Sequence, residues 1–87
     1  MDNLSETILH LLSLAASYRP GVILEAEQVV DAYLEAFRGY RARRAAIDAL
    51  LAKLASPTIR ASNRGGLFEQ VEIHLQRRNQ EMARFFQ

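Results

Sequence analysis

Ten positions in the middle of this chain follow one another at alternating spacings of three and four: Ile23, Ala26, Val30, Tyr33, Phe37, Tyr40, Arg44, Ile47, Leu51 and Leu54. Nine are apolar and one is arginine. On an α-helix this spacing puts all ten on one side, and so long an apolar stripe has to be covered by other helices. The stripe therefore predicts an all-α protein with one long helix over about 22–55. At 1.5 Å per residue such a helix is ~50 Å long. Gly39 falls off the stripe, where a glycine costs a continuous helix roughly 1 kcal/mol relative to alanine. A helix running through Gly39 is the expectation, and a bend there is the alternative.

Two shorter helices flank it. The first is expected over about 4–18, opened by Asn3 and Glu6 in capping-box spacing and closed by Arg19-Pro20-Gly21. Its polar residues Glu6, His10, Ser13 and Ser17 form a narrow strip on an otherwise Leu-, Ile- and Ala-rich segment. The third is expected over about 67–86, with the stripe Phe68, Val71, Leu75, Arg78, Met82 and Phe85. Between them, 56–66 has the Ser, Pro, Asn and Gly composition of a linker, with room for one helical turn after Pro57. The expected architecture is a single domain, 1–87: a three-helix bundle with a long central helix and antiparallel neighbours. The short helices would fold back on its two halves and leave the aromatic middle, Tyr33, Phe37 and Tyr40, partly uncovered as an interface.

Charge adds a direction. Residues 1–35 carry six acids against Arg19, a balance of −5. Residues 36–64 carry six arginines and Lys53 against Asp48, a balance of +6. Two long helices side by side and antiparallel would set each acidic half on the other's basic half, so an antiparallel homodimer is expected, an isologous interface. Asp31 and Glu35 of the second chain are then the expected partners of the stripe arginines Arg44 and Arg78. The alternative is a compact monomer bent at Gly39, with both arginines reaching to water.

Chemistry-bearing motifs are sparse. The chain has no cysteine, which removes disulfides, thiolate metal sites and a cysteine nucleophile. His10 and His74 are far apart in sequence and are expected as solvated surface residues without metal-ligand partners. Glu27, Asp31 and Glu35 form an i, i+4 row of like charges, unfavourable unless something positive faces it. A basic partner surface is the expected counterpart. Arg64-Gly65-Gly66 ahead of a helix is too little for a phosphate site. No nucleophile–base pair is present, so neither enzymatic activity nor a cofactor is expected.

The sharpest local signal is Arg38-Gly39-Tyr40-Arg41-Ala42-Arg43-Arg44. On a continuous helix Arg38, Arg41 and Arg44 occupy successive turns, and Arg60 and Arg64 extend the basic surface. Gln70, His74, Arg77, Glu81 and Arg84 form a second polar side, on the third helix. The candidate partner-binding residues are therefore Tyr33, Phe37, Tyr40, Arg38, Arg41, Arg43, Arg44, Arg60 and Arg64. Tyrosine and arginine are typical interface anchors, so the expected role is a small non-enzymatic protein–protein interaction module (adaptor, chaperone or inhibitor) acting as a helical homodimer. Nucleic-acid binding through the Arg38–Arg44 cluster is the alternative, weakened by the acidic first half of the chain and a sequence pI of about 8.2. No membrane association is expected, because the basic and strongly apolar faces do not share one amphipathic segment. The acidic N-terminal segment lacks a signal peptide's basic start, so a cytoplasmic location is expected.

Overall fold

The computed structural model describes residues 3–17, 21–61 and 66–85. They form a helical bundle of five helices: α1 (Asn3–Ala16), α2 (Val22–Glu35), α3 (Tyr40–Leu54), α4 (Pro57–Arg60) and α5 (Leu67–Phe85). No helix among the described residues is long and apolar enough to cross a membrane. The loop residues expected to stop the first helix, Arg19 and Pro20, lie outside the described residues.

The single helix expected over 22–55 is divided. The last turn of α2 tightens, with Ala36 N–H donating to Tyr33 O and Phe37 N–H to Leu34 O, and the chain then leaves the helix. Gly39 takes φ 90° and ψ 156°, a conformation open essentially to glycine alone. The Arg43 Nε–H reaches back 2.9 Å to the Phe37 carbonyl and satisfies an acceptor that the break exposes. The described backbone is only 38 Å in its longest dimension, too short for the ~50 Å rod.

Apart from Tyr40 and the exposed Arg44, the two halves keep an apolar side inward across the break. Ala26, Val30 and Leu34 of α2 and Ile47, Leu50 and Leu54 of α3 share one core with Phe68, Val71 and Leu75 of α5 and with Ile8, Leu11 and Ala15 of α1. What changes is the geometry. The two halves fold toward each other, and α5 packs against both, while α1 packs on α2. The α2–α5 polar contacts fix a direction as well: Glu27 meets His74 and Asp31 meets Arg78, so positions advance together and the two helices run parallel. The third helix therefore covers both halves of the stripe rather than the second alone. Pro57 opens α4 at its first turn, where its missing N–H costs nothing. Arg60 then ties this segment to the start of α5 through Glu69 at 2.9 Å and through Glu72.

Gly39 offers a test of sign. In a continuous helix Gly39→Ala stabilises by about 0.5–1 kcal/mol. In the observed conformation it costs roughly 1–3 kcal/mol, and the cost is torsional, because no atom lies within 4 Å of an added Cβ. Urea denaturation of the variant should therefore show a loss; a gain would mean that α2 and α3 are one helix. On α5, the buried Asn79 Oδ1 has no hydrogen-bond partner among the described residues. Asn79→Leu should raise stability by about 1 kcal/mol, since an unpaired buried acceptor carries a desolvation cost with no return, and thermal melts would register the gain.

Candidate functional site

The acidic row of α2 faces α5. Glu27, Asp31 and Glu35 repeat every four residues, as do His74 and Arg78, so one helical side of each meets the other. His74 is buried, with 7% of its surface exposed. Its Nδ1 lies 3.1 Å from Glu27 Oε2 and its Nε2 lies 2.8 Å from Asp31 Oδ1. A ring protonated on both nitrogens donates to both carboxylates, and a neutral ring to one. Arg78 grips Asp31 with two bonds, from Nε and Nη2, each 3.1 Å. Its Nη1 donates to Glu81 at 2.8 Å.

These contacts set the electrostatics. Burial pushes the Asp31 carboxyl up, but the hydrogen bonds from Arg78 and His74 outweigh it and hold the group below its ordinary value. The bonds to Asp31 and Glu81 raise Arg78 further above its usual range. Two expectations are corrected here. His74 is a buried connector between helices, not a solvated surface residue, and it leaves the polar side of α5 that was to face a nucleic acid. Arg78 finds Asp31 in its own chain rather than in a second one.

Beyond this network the two helices diverge. Past Asp31 and Arg78, α2 turns away into the Gly39 break while α5 runs on to Phe85. The space between them and the start of α3 is an open groove of about 650 Å³. Its floor is apolar, made by Leu34, Ile47 and Met82. Its charged lining is mixed, with Asp31, Glu35 and Glu81 against Arg38, Arg43 and Arg78, and Tyr40 lines it at the break. Phe85 stands at the rim with 88% of its surface exposed. Among the described residues, Glu35 and Arg38 are exposed and have no ion-pair partner, so the groove presents an unpaired charge of each sign to solvent.

The predicted interface residues divide among several places. Arg38, Tyr40 and Arg43 come together at the groove. Tyr33 and Phe37 are half-buried against the core, ring edge to ring face with centroids 5.1 Å apart, and do not form an open aromatic seam. Arg41 is exposed away from the groove. Arg44 turns to its own helix, bonding the Tyr40 hydroxyl at 3.1 Å and approaching Asp48 at 3.7 Å. Arg60 is held by Glu69 and Glu72 at the opposite end of α5. Arg64 lies outside the described residues. The successive-turn row of Arg38, Arg41 and Arg44 does not exist as such, since Arg38 precedes the break and the other two follow it.

Leu34, Ile47, Met82, Phe85, Glu35 and Glu81 were not singled out together by the sequence reading. The stripes of α2, α3 and α5 contain or border the apolar members, but only the fold shows that the three stripes converge there and stop covering one another. Among the described residues no group of three or more His, Asp or Glu side chains is arranged to hold a metal ion. The chain matches no protein-family model, no curated protein and no solved structure.

The Asp31 cluster has a defined acid response. Because the folded-state pKa lies below the ordinary aspartate value of 3.8, its contribution is fully present above that value and is lost as pH falls through the depressed one. Asp31→Asn should lower stability near neutrality by roughly 1–2 kcal/mol, an amount reduced from that of fully buried charged bonds by partial exposure. Urea melts carried from neutral into acid pH should show wild type losing more of its stability than the variant. Parallel pH profiles would remove the cluster as their source.

Proposed function

We propose that this chain is a cytoplasmic, non-enzymatic protein–protein interaction module that receives an apolar side chain of a partner in the α2–α3–α5 groove. One observation carries the reading: an open groove with an apolar floor and charged walls, flanked by a phenylalanine left almost wholly in water. Interfaces have this anatomy, an apolar centre within a polar rim, and aromatic residues and arginine are their usual anchors. Exposed apolar surface at a concave site also carries a standing hydration cost that a partner relieves. The absence of cysteine accords with a reducing compartment.

Nucleic-acid binding is the second reading, favoured by Arg38 and Arg41, which have no carboxylate partner among the described residues. It is the weaker of the two, because Arg43, Arg44 and Arg60 already bond within the chain. The charges that remain are also too scattered to follow a phosphate backbone.

A photo-reactive amino acid in place of the exposed Arg38 separates the two. The proposed role predicts covalent adducts to protein in cells, lost when Met82→Glu places a charge on the groove floor. Adducts to nucleic acid, with duplex binding by the purified chain that weakens steeply with salt, would favour the second reading. The absence of any adduct would overturn the first.

A further inference from the structure

We infer that the occupant of the groove is a second copy of this chain, with Phe85 of each copy entering the groove of the other. The inference rests on the reading of the groove as a binding surface and adds the identity of what fills it.

Two features make the surface complementary to itself. The first is charge. The lining carries both signs, with Asp31, Glu35 and Glu81 against Arg38, Arg43 and Arg78, so a surface that complements it must itself carry both signs. A second copy related by a two-fold axis supplies that arrangement without a further protein: it sets Glu35 of each copy against Arg38 of its mate, in the reciprocal pairing of an isologous interface. Glu35 and Arg38 have no ion-pair partner within the described chain, and each meets the other's counterpart across the axis.

The second feature is a projecting apolar group beside an apolar hollow. Phe85 is 88% exposed at the rim, and the floor below it is Leu34, Ile47 and Met82. A phenyl ring occupies only a fraction of about 650 Å³, so the groove admits it together with part of the α5 turn that bears it. Within one chain Phe85 does not fill the hollow it borders. Each copy therefore contributes to the other the aromatic anchor that its own groove lacks. This pairing differs from the antiparallel rods that the charge sequence suggests: with α2 and α3 folded together, charges of both signs gather at one groove instead of being spread along one helix.

The test is molar mass by light scattering on the full chain over a range of concentrations, with circular dichroism confirming that each variant folds. Phe85 is exposed, so Phe85→Ser leaves the bundle intact, and it should weaken self-association by about thirtyfold, the size expected of a buried aromatic anchor. Glu35→Arg and Arg38→Glu should each weaken the dimer by placing like charges across the axis. The double variant Glu35→Arg with Arg38→Glu should recover it, because residues 35 and 38 exchange sign and still meet as opposite charges across the axis. A wild-type dimer indifferent to all of these changes would use another face and would overturn the inference. A wild-type monomer would overturn it as well. If Arg38 adducts to a different protein then still form, the groove retains its binding role with another occupant; if none form, both readings fall.

Discussion

A helix cannot bury its own apolar stripe, and in this chain the consequence is resolved by one residue with unusual backbone freedom. The stripe from Ile23 to Leu54 would need cover along some 50 Å if the helix were straight. Gly39, at φ 90° and ψ 156°, lets the chain turn so that the two halves of the stripe face a common interior. One helix, α5, then supplies Phe68, Val71 and Leu75 to that core and lies against both halves. The fold depends on this turn, and so does the groove: where the chain turns away, α2 and α3 separate, and the end of α5 is left alongside a space it does not fill.

The electrostatic contacts between α2 and α5 complete the arrangement. Hydrophobic burial is non-directional and tolerates more than one sliding position of two helices. The pairs Glu27–His74 and Asp31–Arg78 specify one of them, because moving α5 by a turn would leave partly buried charges without partners. That register places Arg78 and Glu81 at the mouth of the groove and carries Phe85 past its edge. A like-charged row that is unfavourable in isolation thus serves as the address for the helix that packs on it. The same pairing makes the aspartate at its centre a source of stability that acid removes.

Much of the local structure was legible in the residues themselves. Three- and four-residue spacing identified the helical segments, Pro57 marked the short turn at α4, and Ala26, Val30, Ile47 and Leu54 were correctly placed inside. Less legible was the division of the central helix, since a glycine off the apolar stripe costs a helix little and its presence does not show that the helix stops. The roles of His74 and Arg78 were hidden for a different reason. A histidine and an arginine four residues apart look like a solvated side until a row of carboxylates with the same spacing is known to lie opposite. For the same reason Asp31 was assigned to a second chain when its partner was in its own. The groove left a partial trace: Arg38, Tyr40 and Arg43 were recognised, while Met82 and Phe85 read only as ordinary members of an apolar stripe.

The chain's periodicity by itself determined the helical class and most of the residues that turn inward, because these follow from local spacing and the burial of apolar side chains. Its charge order determined that acidic and basic surfaces would have to meet. Tertiary structure decided where they meet. A contact between residues 31 and 78, or a groove shared by residues 34, 47 and 82, depends on the angle at which the chain leaves α2, and that angle is set by torsions at Gly39 together with the packing of every helix at once. Spacing along a sequence carries no record of such an angle, so the direction of α5, the exposure of Phe85 and the mixed charges of the groove became visible only in three dimensions.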